Sequence, residues 1–159
     1  MATAYVGIGS NLGEPRRQIE AALDELGRVP RTCVARRSSL YRSAPVGHAD
    51  QPHFLNAVAR LETGLAAEAL LAELQDIERR HGRERSFANA PRTLDLDLLL
   101  YDGCVLDTTP LTLPHPRMHE RAFVLAPLAE IAHDAQVPGH GRADELLARC
   151  AGQHLARIA

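Results

Sequence analysis

The stretch Ala90-Pro91-Arg92-Thr93-Leu94-Asp95-Leu96-Asp97-Leu98-Leu99-Leu100-Tyr101 sets the reading of the whole chain. Its period of two predicts a strand, with Leu94, Leu96, Leu98 and Leu100 on one face and Asp95, Asp97 and Leu99 on the other. Aspartate is a poor strand former, so two of them inside an apolar strand need a reason. Residues two apart project in parallel, about 6.5–7 Å from each other. Carboxylates so placed suit a hard cation, and Mg²⁺ is usually held by one or two carboxylates together with substrate phosphates. Arg92 adds a planar fork that matches phosphate oxygens. The plainer reading is an edge strand with two acids turned to water. The arginine before the pair and the apolar run after it favour a metal–phosphate site. Asp-x-Asp alone fits cyclases, polymerases and several kinds of phosphotransferase.

The rest of the chain narrows the choice. At 159 residues and 45% apolar content, a single domain over residues 1–159 with a full core is expected. No apolar run reaches the length of a membrane span, and no basic stretch leads into an apolar one at the start. A soluble, cytoplasmic protein without membrane contact is therefore expected. A net charge of −2 argues against a nucleic-acid partner. All 18 basic residues are arginine. Without lysine there is no P-loop, no Schiff base and no protein-kinase machinery. Cys33, Cys104 and Cys150 are odd in number and scattered, which fits reduced, buried thiols rather than disulfides or zinc.

Outward from the central stretch, residues 3–8 read as a strand ending in Gly7-Ile8-Gly9-Ser10-Asn11-Leu12-Gly13. That run is one residue too long for a dinucleotide fingerprint and reads as a strand-to-helix turn. Residues 14–27 form an amphipathic helix by pattern, with Ile19, Leu23 and Leu26 on one stripe. Residues 31–42 read as one strand, followed by a long segment of turn formers over 43–52. Residues 54–63 alternate as a strand with Leu55, Ala57, Ala59 and Leu61 toward the core and Phe54 and Asn56 on the open face. A ring beside an amide that donates and accepts suits a flat heterocycle, but the spacing alone favours an ordinary exposed face. Residues 66–81 are the clearest helix, with Leu70, Leu71, Leu74 and Ile77 in register and Gln75 and Glu78 on a neighbouring face. The polar loop 82–92 brings Arg83, Arg85 and Arg92 beside Asp95 and Asp97, as a polyphosphate with Mg²⁺ would require. His115 and His119 are four apart, but Pro116 and the missing His-Glu-x-x-His pattern argue against zinc. Phosphate contact by His115 and Arg121 fits better. Residues 124–131 and 144–150 read as short helices, and the tail after them shows no chemistry.

Three motifs, Ala4-Tyr5-Val6-Gly7-Ile8-Gly9-Ser10-Asn11-Leu12-Gly13, Pro91-Arg92-Thr93-Leu94-Asp95-Leu96-Asp97 and Pro114-His115-Pro116-Arg117-Met118, resemble the 6-hydroxymethyl-7,8-dihydropterin pyrophosphokinases of folate biosynthesis. Tyr41-Arg42-Ser43-Ala44-Pro45, Gln51-Pro52-His53-Phe54-Leu55-Asn56-Ala57 and Arg121-Ala122-Phe123 match in the same order, so the likeness runs over nearly the whole chain. The resemblance implies an α+β fold with a ferredoxin-like core, an antiparallel sheet flanked by helices. It implies transfer of pyrophosphate from ATP to the hydroxymethyl oxygen of the dihydropterin, releasing AMP. Asp95 and Asp97 would hold two Mg²⁺ ions, with Arg83 and Arg92 neutralising charge on the moving phosphates. Arg85, His115 and Arg121 would position the polyphosphate, while Gln75, Glu78, Leu98, Leu111 and Thr112 would line the nucleotide. The pterin would lie between Phe54 and Phe123, read by Asn56 and by the backbone of Ser43, Ala44 and Val46. The implied partners are these small molecules only, and the implied state is a monomer. The sequence departs from the family pattern at Ala88 and Asn89, where a basic residue and an aromatic are common, with Phe87 as a substitute lid. It departs again at Pro116, where an aromatic is common.

Overall fold

The computed structural model describes residues 1–11, 13–43, 53–82 and 94–158. Its elements run β1 (Ala2–Ser10), α1 (Pro15–Leu26), β2 (Thr32–Arg37), β3 (Tyr41–Ser43), β4 (Phe54–Thr63), α2 (Ala67–Arg80) and β5 (Asp95–Tyr101). A small hairpin of β6 (Leu106–Asp107) and β7 (Thr112–Leu113) follows, then a 3₁₀ turn at Met118–Glu120 and α3 (Ala122–Ala132). The remainder is β8 (Gln136–Val137), β9 (Gly141–Arg142), α4 (Ala143–Ala148) and β10 (Leu155–Arg157).

The main sheet is ordered β10-β3-β4-β1-β5, and β2 pairs with the same edge of β4 as β3 does. All its pairings are antiparallel. With β2 and β3 counted as one interrupted strand, the chain runs βαββαβ with its first strand between the third and the fourth. That is the ferredoxin-like arrangement, an α+β fold. The stretch 31–42, expected as one strand, breaks at Ser38. The Ser38 N–H donates to the Val58 carbonyl at 2.9 Å, and its hydroxyl accepts from the Val58 N–H at 2.9 Å, so a side chain completes the ladder at the break.

Each face of the sheet carries its own core. Below, Val6, Ile8, Ala59, Leu61, Leu96 and Leu98 pack against Ile19, Leu23 and Leu26 of α1 and Leu70, Leu74 and Ile77 of α2. Above, Val58 and Leu99 pack against Met118, Leu125, Leu128 and Leu146. The face of β4 expected to be open is therefore roofed over part of its length. The helix stops follow sequence: α2 ends where Gly82 takes φ +73°, a left-handed conformation glycine adopts without strain.

Strand β5 corrects one expectation. Tyr5 lies opposite Leu100 and Val6 opposite Leu98, so Leu99 is an extra residue, a β-bulge. The bulge breaks the period of two: Leu99 and Leu100 both enter the upper core, whereas Leu100 was expected below with Leu94, Leu96 and Leu98. Two further expectations also change. Cys33 and Cys104 are exposed and only Cys150 is buried. The tail expected to be inert supplies β10, which pairs with β3.

Candidate active site

Strand β1 makes the floor of the site. The sequence places the Gly7–Gly9 pair in a turn, but β1 continues to Ser10 and both glycines are mid-strand. Gly9 stands opposite Asn56 on one side and Asp95 on the other; Gly7 stands opposite Val58 and Asp97. Directly opposed residues share a face, so two glycines separate the Asn56 column from the aspartate column by two strand spacings, about 9–10 Å. Any larger side chain would fill that interval. A Cβ on Gly9 would meet Asn56 Oδ1 at 3.2 Å. What remains is a cleft of about 280 Å³ floored by backbone.

Its walls come from β3 and β4 on one side and from β5 and the segment leading into α3 on the other. Asn56 is buried, and its Nδ2 donates to the Ser43 hydroxyl at 2.8 Å, which fixes the amide and leaves its oxygen on the cleft side. Phe54 and Phe123 line the same cleft, as do Asp95, Asp97 and Arg121. Arg121 packs over the Phe123 ring, 5.4 Å from its centre. Burial, and then the like charge of Arg117, lower the Arg121 pKa, while Asp97 and Asp95 pull the other way. A guanidinium stays charged under such shifts, so a desolvated cation faces the acids.

A second cleft, about 240 Å³, opens on the other side of Asp97 and is lined by Leu98, Leu111, Thr112 and His115. Asp97 belongs to both clefts. His115 is tied to the bulge, its N–H donating to the Leu99 carbonyl at 2.9 Å. Burial, and secondarily Arg121, pushes its pKa down to about 4, so the ring is neutral at pH 7. Its Nδ1 accepts from the Arg117 N–H at 3.3 Å, which puts the remaining proton on Nε2 as a donor.

Of the described residues expected at a site, all but Gln75 and Glu78 line the two clefts that share Asp97. Gln75 is exposed on α2, and Glu78 is buried with its Oε2 accepting the Leu96 N–H at 2.7 Å; neither lines the two clefts. Arg83, Arg85, Phe87, Ala88, Asn89 and Arg92, with Ala44 and Val46, lie outside the described residues. Sequence reading missed Gly7 and Gly9 as a floor, and Arg117, Glu120 and Gln153 as lining. The glycines were legible in principle, since glycine inside a strand marks a close approach of something else.

Among the described residues no cluster of three or more His, Cys, Asp or Glu offers a metal cage. Two strand-borne carboxylates are too few for structural zinc, but they are the donor set by which Mg²⁺ is shared between a protein and a phosphorylated ligand. No helix among the described residues is long and apolar enough to cross a membrane.

Comparison with known proteins finds relatives over nearly the whole chain. The chain is 50% identical over 154 residues to a 2-amino-4-hydroxy-6-hydroxymethyldihydropteridine pyrophosphokinase of Pseudomonas aeruginosa, covering 97% of this chain and 95% of that protein. It is 43% identical over 158 residues to the protein of the same name from Haemophilus influenzae, covering 99% of each. In fold it matches a crystal structure of Plasmodium falciparum HPPK-DHPS with a TM-score of 0.70 at 12% identity, over 94% of this chain and 43% of that one. A model of one family matches residues 5–133, and the chain belongs to that family, the 7,8-dihydro-6-hydroxymethylpterin-pyrophosphokinases.

Proposed function

We propose that the chain carries out its family's reaction, transfer of pyrophosphate from ATP to the hydroxymethyl group of 6-hydroxymethyl-7,8-dihydropterin with release of AMP, at the junction of the two clefts. The observation that carries this reading is the position of Asp97, which borders both clefts and stands across a glycine from Val58. The pterin occupies the larger cleft on the backbone floor, between Phe54 and Phe123, with the Asn56 amide on its edge and Ser43 behind that amide. The nucleotide occupies the smaller one, against Leu98, Leu111 and Thr112. On α2, the exposed Gln75 would meet the nucleotide only from outside the cleft, and Glu78 would act through the Leu96 backbone it holds.

Asp95 and Asp97 would hold two Mg²⁺ ions. When bound, these ions would draw charge from the polyphosphate oxygens and from the attacking hydroxyl. The remaining groups supply position and charge. Arg121 sets a desolvated cation over the polyphosphate; the neutral His115 donates from Nε2 to a phosphate oxygen. By the family resemblance Arg83, Arg85 and Arg92 would add positive charge for the polyphosphate, Phe87 would serve as a lid, and Ala44 and Val46 would meet the pterin through their backbone. A cytoplasmic monomer whose partners are small molecules is the simplest state. Among the described residues the large exposed hydrophobics are Met1, Val105 and Ile158, which lie far apart in sequence.

The test is the product. Purified protein with ATP, Mg²⁺ and the pterin should form AMP only when all three are present. ADP would indicate a simple kinase, pyrophosphate a nucleotidyl transferase, and binding without turnover a degenerate binding module. Asp97→Ala should lower turnover at least 10²–10³-fold, roughly the cost of losing one preorganised electrostatic contact, with the fold intact by circular dichroism. Near-normal turnover would remove Asp97 from the metal site.

A further inference from the structure

Among the described residues, Arg121 is a cation that faces Asp95 and Asp97 without a side-chain anchor of its own. Among the described residues the Arg121 guanidinium has no ion pair or hydrogen bond; its one side-chain contact of that kind is the Phe123 ring. Its position is therefore set by its backbone. That backbone is held locally by its own N–H on the Met118 carbonyl and by its carbonyl accepting from Val124 and Leu125, and on both flanks from farther along the chain. The Nε2 of Gln153 donates to the carbonyl of Glu120 at 2.7 Å, and the Oε1 of Gln153 accepts from the N–H of Ala122 at 2.9 Å. One amide thus spans the residue before Arg121 and the residue after it. The second bond also satisfies the first N–H of α3, a helix whose N-cap residue makes no capping bond through its own side chain.

Gln153 is itself well placed to do this. The turn before it is closed by its N–H on the Cys150 carbonyl at 3.0 Å, and Cys150 is buried in the upper core. Just after it β10 pairs with β3, Leu155 opposite Ser43. Gln153 also lines the larger cleft and lies beyond the stretch that defines the family, residues 5–133.

We propose that Gln153 is a positioning residue for Arg121, its amide fixing the backbone on both sides of the cation so that the guanidinium is presented to the polyphosphate. This rests on Arg121 facing that group. The experiment is a double-mutant cycle of Gln153→Met, which keeps the length and removes both bonds, with Arg121→Ala. It is read as kcat/KM and as the affinity for a non-hydrolysable Mg²⁺–ATP analogue by calorimetry. Gln153→Met alone should lose roughly tenfold in both readouts, the size of one net hydrogen bond's worth of order. Gln153 is exposed, so its melting temperature should stay within a few degrees of the parent. Gln153→Glu keeps an acceptor for the Ala122 N–H but turns a carboxylate oxygen on the Glu120 carbonyl, and should recover only part of the loss. In the Arg121→Ala background the Gln153→Met loss should vanish. A loss that persists there, or no loss at all, overturns the proposal. If Arg121→Ala alone changes neither readout, it is the assignment of Arg121 to the polyphosphate that fails.

Discussion

Asn56 shows how little separates a structural residue from a functional one. Its amide nitrogen is spent on Ser43, and its oxygen lies 3.2 Å from where a Cβ on Gly9 would stand. Asn56→Ala should weaken pterin binding by about 1–3 kcal/mol, the cost of a buried polar edge losing its partner, and leave ATP binding nearly unchanged. Equal losses for the two ligands in calorimetry would count against the pterin pocket. His115 offers a pH test. Its folded pKa of about 4 lies below the ordinary value, so the unfolded chain takes up a proton that the folded state refuses. The native state is then fully favoured above about pH 6.5 and loses stability as pH falls toward 4. His115→Gln should flatten that slope, by about 2 kcal/mol between pH 7 and 4 once partial exposure is allowed for. Urea midpoints of both proteins at the two pH values would show it; parallel curves would refute it.

At the scale of elements, β5 is positioned by contacts at both flanks. On one side it pairs with β1; on the other, Glu78 of α2 takes the Leu96 N–H and His115 caps the Leu99 carbonyl. Glu78→Ala leaves the Leu96 N–H unpaired in the interior and should destabilise the protein by about 1–3 kcal/mol. Glu78→Gln, which retains an acceptor, should recover most of it. Equal damage from both variants would mean that the charge, not the backbone bond, is what α2 contributes. The same element shows where sequence reading works and where it stops. The bounds of β4 and the apolar stripe of α2 were legible because one face of each meets one core, and burial then writes a period into the sequence. The Asp-x-Asp strand was legible for its acids but not for Leu100, because a bulge is a property of pairing and leaves no mark on one strand's own residues. Glu78 looked like a ligand residue because helical spacing cannot tell a face turned to a cleft from one turned to a neighbouring strand. The motif residues that resemble the family were readable as words, while Gln153, fixed only by tertiary contact, was not.

For the molecule as a whole, one sheet serves two cores, and the site lies where the upper one stops short. Leu74 is fully buried below the sheet and Leu125 fully buried above it. If residues 1–159 form a single cooperative unit, Leu74→Ala and Leu125→Ala should each cost about 2–5 kcal/mol and shift one common unfolding transition, with the same dependence on denaturant. Two separable transitions in either variant would divide the chain into independent units.

The backbone floor has a consequence for heritable change. A molecule resting on Gly7 and Gly9 touches peptide groups, and point mutation exchanges side chains but leaves a carbonyl in place. Replacing Gly9 would crowd Asn56 at 3.2 Å, so the change that expels an inhibitor from this strip also disturbs the amide proposed to read the pterin. Inhibitors that draw their affinity from the floor confine resistance to the walls.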